Sequence, residues 1–173
     1  MASMETEILK RIEISFGAVP TPNPDEVLAE PYRGSEDPGL MLADFRGKHW
    51  RDLPASILFR HREMLLALSA VGYRGYIAAY LRASVLDGPY DADLREYTLF
   101  SFAPIDSHRV DEKEVRQRLS LLNRDQWDTI EAYVRYLGDG RHMSQARRVL
   151  DESSSSSPFR DESGSDTRRV RRR

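Results

Sequence analysis

The chain has no cysteine at all among its 173 residues. Disulfides, thiolate metal sites and cysteine nucleophiles are therefore excluded before any pattern is read. Long apolar runs are missing too: no stretch approaches the roughly 18 consecutive apolar residues of a membrane span, so no membrane insertion is expected. The start, Met1-Ala2-Ser3-Met4-Glu5, places acid where a secretory signal needs a basic region followed by an apolar one, and a cytoplasmic location is the expectation. Histidine is scarce, with four in the chain. None of them forms a His-x-x-x-His pair, so no metal site is expected. Glycine-rich phosphate loops are absent: Gly34 to Gly39 lacks both a Gly-Lys-Ser/Thr ending and a preceding strand. No serine sits in a nucleophile-elbow pattern. No catalytic residue and no cofactor is expected.

What is present is globular. Apolar residues make up 40% and charged residues 31%, and the length suits one domain that needs no covalent staple. The formal net charge is -2, distributed unevenly. Residues 1–150 hold 20 Lys and Arg against 23 acids; residues 151–173 hold six Arg against five acids. Five of those arginines, Arg168, Arg169, Arg171, Arg172 and Arg173, crowd the last six positions, a candidate contact for a polyanion such as nucleic acid, an anionic membrane surface or an acidic partner. The same cluster reads equally as a passive solubilising end. With five consecutive serines before it, residues 151–173 are expected to be a disordered tail on a helical domain spanning residues 1–150.

Apolar side chains recur at helical spacing through that domain. Ile8, Leu9, Ile12 and Phe16 predict a helix from Met4 to Phe16, capped by Ser3 and stopped by Gly17 and the prolines at 20, 22 and 24. Residues 25–53 read as a loop with short helical pieces, the run Gly34 to Gly39 being loop by composition. Asp52-Leu53-Pro54 reads as a helix start, followed by a continuous stripe of Ile57, Leu58, His61, Met64, Leu65 and Leu68. Ser69 caps the next helix, which carries Tyr73, Tyr76, Ile77, Tyr80, Leu81 and Val85. A fourth helix starts near Asp91; the run Tyr97 to Phe102 is ambiguous with a short strand, and helix is favoured because no partner strand is visible. A charged loop follows. Asn123 and Gln126 then form a capping box for a helix burying Trp127, Ile130, Val134 and Leu137, and a last amphipathic helix runs from His142 to Leu150. The expectation is an all-α, compact orthogonal domain of about five to seven helices.

The order of certain motifs resembles a bacterial family of small helical domains. It is carried by Ile8 to Phe16 before Val19-Pro20-Thr21-Pro22, then Phe45-Arg46-Gly47-Lys48-His49-Trp50 leading into Asp52-Leu53-Pro54. Leu65 to Ser69 follows, then Tyr76-Ile77-Ala78-Ala79-Tyr80-Leu81, and last Leu121, Gln126, Tyr133 and Leu137. The resemblance spans residues 5–137. The chain departs from it at Gly75-Tyr76 and Ala78, where family members often have an aromatic pair and a proline. What it implies is a helical fold in a cytoplasmic bacterial protein; it carries no activity.

Candidate functional residues each have two readings. His61, on the apolar stripe beside Glu63, is a general base oriented by a carboxylate or a core-edge histidine. His49 is a second such base, or a neighbour of Trp50, which itself reads as a loop anchor whose indole N–H finds a carbonyl. His108 and His142 read as solvent-exposed. Tyr73, Tyr76 and Tyr80 form a stripe that can face a partner or fill the core. Glu30, Glu36, Asp37 and Asp44 fall in or near the irregular segment, where functional residues collect. The leading expectation is a non-enzymatic module that binds a protein partner through Tyr73, Tyr76, Tyr80, Asp37, Asp44 and Trp50. A toxin-immunity protein is one version of it. The alternatives are a nucleic-acid accessory protein acting through its arginine tail and a small enzyme pairing His61 or His49 with a loop acid.

Overall fold

The structure, a computed structural model, describes residues 3–34, 36–86, 91–102 and 112–137. These form seven α-helices: α1 (Met4–Phe16), α2 (Glu36–Phe45), α3 (Ala55–Arg60), α4 (Ala70–Val85), α5 (Asp91–Phe100), α6 (Glu112–Ser120) and α7 (Arg124–Tyr136). Four short 3-10 turns lie between them, at Pro24–Glu26, Glu30–Tyr32, Trp50–Asp52 and Arg62–Ala67. The fold is all-α; the described residues contain no strand, only one antiparallel bridge between Leu28 and Leu68. The expected helix at 142–150 and the tail at 151–173, with its arginines, lie outside the described residues, as do His108 and His142.

Several boundaries follow directly from local chemistry. The Ser3 hydroxyl accepts the Thr6 amide and starts α1 where expected. The Asn123 side chain accepts the Gln126 amide while the Gln126 side chain accepts the Asn123 amide, a complete capping box for α7. Ser69 does the same work for α4, its hydroxyl accepting the Gly72 amide at 3.0 Å and donating to the Glu26 carbonyl. The ambiguous run from Tyr97 is helical to Phe100.

Three expectations are corrected. The stretch Glu36 to Gly39 is the first turn of α2, not loop. Proline is tolerated there because the first-turn amides of a helix have no intrahelical acceptor to lose. The stripe from Ile57 to Leu68 is not one helix. It breaks at His61 (φ -108°, ψ 25°) and continues as a 3-10 turn, although Leu58, His61, Leu65 and Leu68 all stay buried. Its start also shifts, since Pro54 rather than Asp52 precedes the first helical residue. Finally, part of the charged loop before Asn123 is helix α6, which buries Val115, Leu119 and the whole of Arg118.

The core is built around α4, which touches α1, α3, α5 and α6, while α1 packs on α7. A helix surrounded on all sides buries most of its surface, so it is apolar or small nearly all round. In α4 the side chains from Tyr76 to Leu81 are all buried. Two of its glycines admit the segment 20–29. A Cβ on Gly72 would stand 2.1 Å from the Val27 carbonyl oxygen, and one on Gly75 would stand 2.7 Å from the Pro22 ring.

Candidate functional site

The tyrosine stripe is not a partner surface. Tyr73, Tyr76 and Tyr80 are at most 1% exposed, which corrects the expectation that they face outward. Each hydroxyl is committed inside: Tyr73 to Ser101 Oγ at 2.9 Å, Tyr76 to the Phe45 carbonyl at 3.4 Å, Tyr80 to the His61 carbonyl at 3.1 Å. Burial pushes all three phenols above their usual value, Tyr76 to about 12. Tyr133, joined to Ser84 Oγ at 2.7 Å, is raised in the same way.

The other singled-out residues converge. Asp44, His49, Trp50 and His61 all lie on the connection that leaves the end of α2, crosses the end of α1 and passes through α3, residues 44–62. Gly47 turns the chain out of α2 with a φ of +69°, a conformation that favours glycine. Trp50 then plugs the core: it is 1% exposed, and its indole N–H donates at 3.1 Å to the Phe16 carbonyl, a last-turn acceptor of α1 that also takes the Val19 amide at 3.0 Å. It therefore anchors the connection from within and cannot itself meet a partner, a second correction.

His49 holds the same turn. Its Nε2 lies 3.2 Å from the Val19 carbonyl, which can only accept, so Nε2 carries the proton. Its Nδ1 accepts the Arg51 amide at 3.3 Å. Both ring nitrogens are thus spent on backbone, and His49 has no lone pair left for base chemistry. Arg51 reaches back to α1, donating to the Glu13 carboxylate at 2.6 Å and to the Gly17 and Glu13 carbonyls at 3.3 and 3.4 Å. Cations suit the negative end of a helix dipole. The guanidinium groups of Arg51 and Arg82 lie 4.8 and 5.8 Å from the centre of the Trp50 ring.

At the far end of the connection, His61 Nε2 lies 2.8 Å from Asp44 Oδ2, an oxygen shared with Arg60 at 3.3 Å. The pair joins the last turn of α2 to the break after α3. His61 is 7% exposed and packs edge-on against Phe45, with ring centres 6.1 Å apart. The hydrogen bond from His61, aided by the charges of Arg60 and Lys48, holds the Asp44 carboxyl below its ordinary value of 3.8. Glu63, the acid next to His61 in sequence, instead accepts the Tyr97 hydroxyl at 3.1 Å. Asp37 lies on α2, in its first turn.

No family model, curated protein or solved structure matches the chain. The site must stand on its own geometry. No described helix is long and apolar enough to cross a membrane, and no cluster of three metal-ligating side chains exists among the described residues. One concavity of about 300 Å³ lies between Leu28–Arg33, the start of α4 and α6. Its arginines are structural ties. Arg118 donates to the Leu66 and Leu68 carbonyls, and Arg33 to the Leu28 carbonyl and the Glu30 carboxylate.

The feature that sequence reasoning missed is the division of labour along residues 44–62. Rings and amide partners point inward, while Arg46 is exposed, Lys48 is half-buried and the Arg60 side chain is 64% exposed. The signal was in the sequence as Arg46-Gly47-Lys48-His49-Trp50-Arg51, but its meaning depends on which of those groups the fold consumes.

Proposed function

We propose that the chain is a non-enzymatic protein-interaction module and that residues 44–62 are the surface it presents. The observation that supports this is a connection locked in place by side chain-to-backbone bonds at His49, Trp50 and Arg51 that keeps charged heads outside. A preorganised loop loses little conformational entropy on binding, and connecting segments held on a rigid scaffold are where binding residues collect. The groups that suggested chemistry in the sequence act instead as structural ties. The resemblance to bacterial helical domains fits this reading and gives it a cytoplasmic bacterial setting. A toxin-immunity protein is one form of such a module.

The enzyme reading has one observation of its own, the Asp44–His61 pair at 2.8 Å, which is the arrangement that orients a general base. The same atoms serve as a tie between α2 and the end of α3, and the imidazole is almost entirely covered. The nucleic-acid reading rests on the tail arginines alone.

Affinity capture by the full chain from lysate of the organism that makes it tests the proposal. A protein retained in stoichiometric amount is the expected result. It should be retained equally when the five tail arginines are replaced by glutamine and when His61→Gln is introduced. A chain that emerges as an unaccompanied monomer contradicts the module reading. Loss of capture with the tail substitutions alone transfers the function to the tail.

A further inference from the structure

The charge on the presented surface points to the kind of partner. Residues 44–62 hold five Lys or Arg against two Asp, in a chain whose formal net charge is -2. One of those acids, Asp44, is already engaged by His61 and Arg60. Arg51 is matched by Glu13 of α1. Arg46 and Lys48 form no ion pair with any described residue; Lys48 lies close enough to Asp44 to help lower its carboxyl. They flank Gly47, so a single tight turn displays both. Arg82 of α4 adds a further cation over the Trp50 ring. The result is a net-positive patch on a rigid turn within a net-negative molecule.

We infer that this patch docks an acidic protein segment, one presenting several Asp or Glu side chains to Arg46 and Lys48. The inference rests on the interaction reading above and supplies the partner chemistry. A carboxylate-rich segment fits better than a nucleic-acid backbone. Glu13 and Asp44 already take up Arg51 and Arg60, and Asp52 adds an acid in no ion pair with a described residue, which leaves few cations for a continuous row of phosphates. A protein segment can place its own polar groups opposite each of those acids. Arginine is also a favoured interface anchor, because its planar fork binds carboxylates in pairs.

The test uses the full-length chain with the five tail arginines changed to glutamine, which removes the competing cationic end. A fluorescent oligoglutamate peptide is titrated against it and against the same chain carrying R46E and K48E, with an oligothymidylate of matched charge as the second probe. Binding of oligoglutamate that weakens with added salt and falls about tenfold in R46E/K48E is expected. The neutral pair R46Q/K48Q should fall between the two, and matching thermal melts confirm that all three chains fold. No binding of oligoglutamate at low salt, or affinity untouched by the reversal, overturns the inference. So does tighter binding of oligothymidylate. Lysate capture separates this failure from failure of the module reading: a protein still captured by R46E/K48E keeps the module and discards the acidic partner, whereas nothing captured by any chain discards both.

Discussion

Helix α4 and the connection 44–62 are both rich in aromatic and polar side chains, and they use them in opposite ways. On α4 the rings of Tyr73, Tyr76 and Tyr80 fill the core, and their hydroxyls hydrogen-bond other buried groups. Along the connection the rings of Phe45, Trp50 and His61 are buried, while Arg46 is exposed and Lys48 half-buried. A tyrosine stripe at helical spacing is thus an interior frame when every face of its helix is covered. A connecting segment becomes an outward surface when its structural ties, at His49, Trp50 and Arg51, leave a charged residue such as Arg46 outside.

The comparison breaks most visibly if the anchor is removed. Trp50→Ala deletes the buried ring and removes its indole hydrogen bond to the Phe16 carbonyl, which keeps the Val19 amide; a loss of about 4 kcal/mol is expected in urea unfolding. Next comes the frame. An alanine for glycine normally strengthens a helix by about 1 kcal/mol, yet Gly72→Ala should cost about 3 kcal/mol, because the new methyl would meet the Val27 carbonyl. A neutral or stabilising result there would mean that segment 20–29 does not lie against α4.

A smaller effect belongs to the tie at the far end of the connection. The Asp44 carboxyl is depressed in the folded chain, chiefly by His61. Its contribution is therefore present above the unfolded carboxyl value of about 3.9 and is lost as pH falls through the lower folded value. Melting temperatures of the wild-type chain and Asp44→Asn should differ near neutrality and converge as the pH drops below about 4. A constant gap across that range removes the electrostatic part of the tie. The smallest effect is reserved for the displayed residues: Arg46→Ala and Lys48→Ala should each change stability by less than about 0.5 kcal/mol. A larger loss would make them structural and deprive the connection of its outward role.

Much of the frame was legible in advance. Capping residues gave α1 and α7 their starts, since Ser3 and Asn123 satisfy orphan amides through chemistry local to the sequence. Helix α2 was hidden because Pro38 and Gly39 signal loops everywhere except in a first turn. In α6 only Val115 and Leu119 mark a buried face; the third member is Arg118, whose charge conceals how fully its stem is packed. The burial of the tyrosines was half-written in Gly72, Gly75, Ala78, Ala79 and Ala83, small residues on several sides of one helix that allow neighbours to close in. The Asp44–His61 pair was not legible, since no local spacing links residues on separate elements, and neither was the loss of His49 to backbone bonding.

The division between frame and surface is tested most directly by following tyrosinate absorbance as the pH is raised. Tyr73, Tyr76, Tyr80 and Tyr133 are held above the usual phenol value by burial, so their neutral forms stabilise the fold, and that contribution is lost as pH rises beyond about 10. The account predicts that at least these four of the eight tyrosines stay neutral through that pH and ionise only together with loss of helical signal. Ionisation of all eight near pH 10 in a chain that remains helical would put the stripe at the surface and contradict the account.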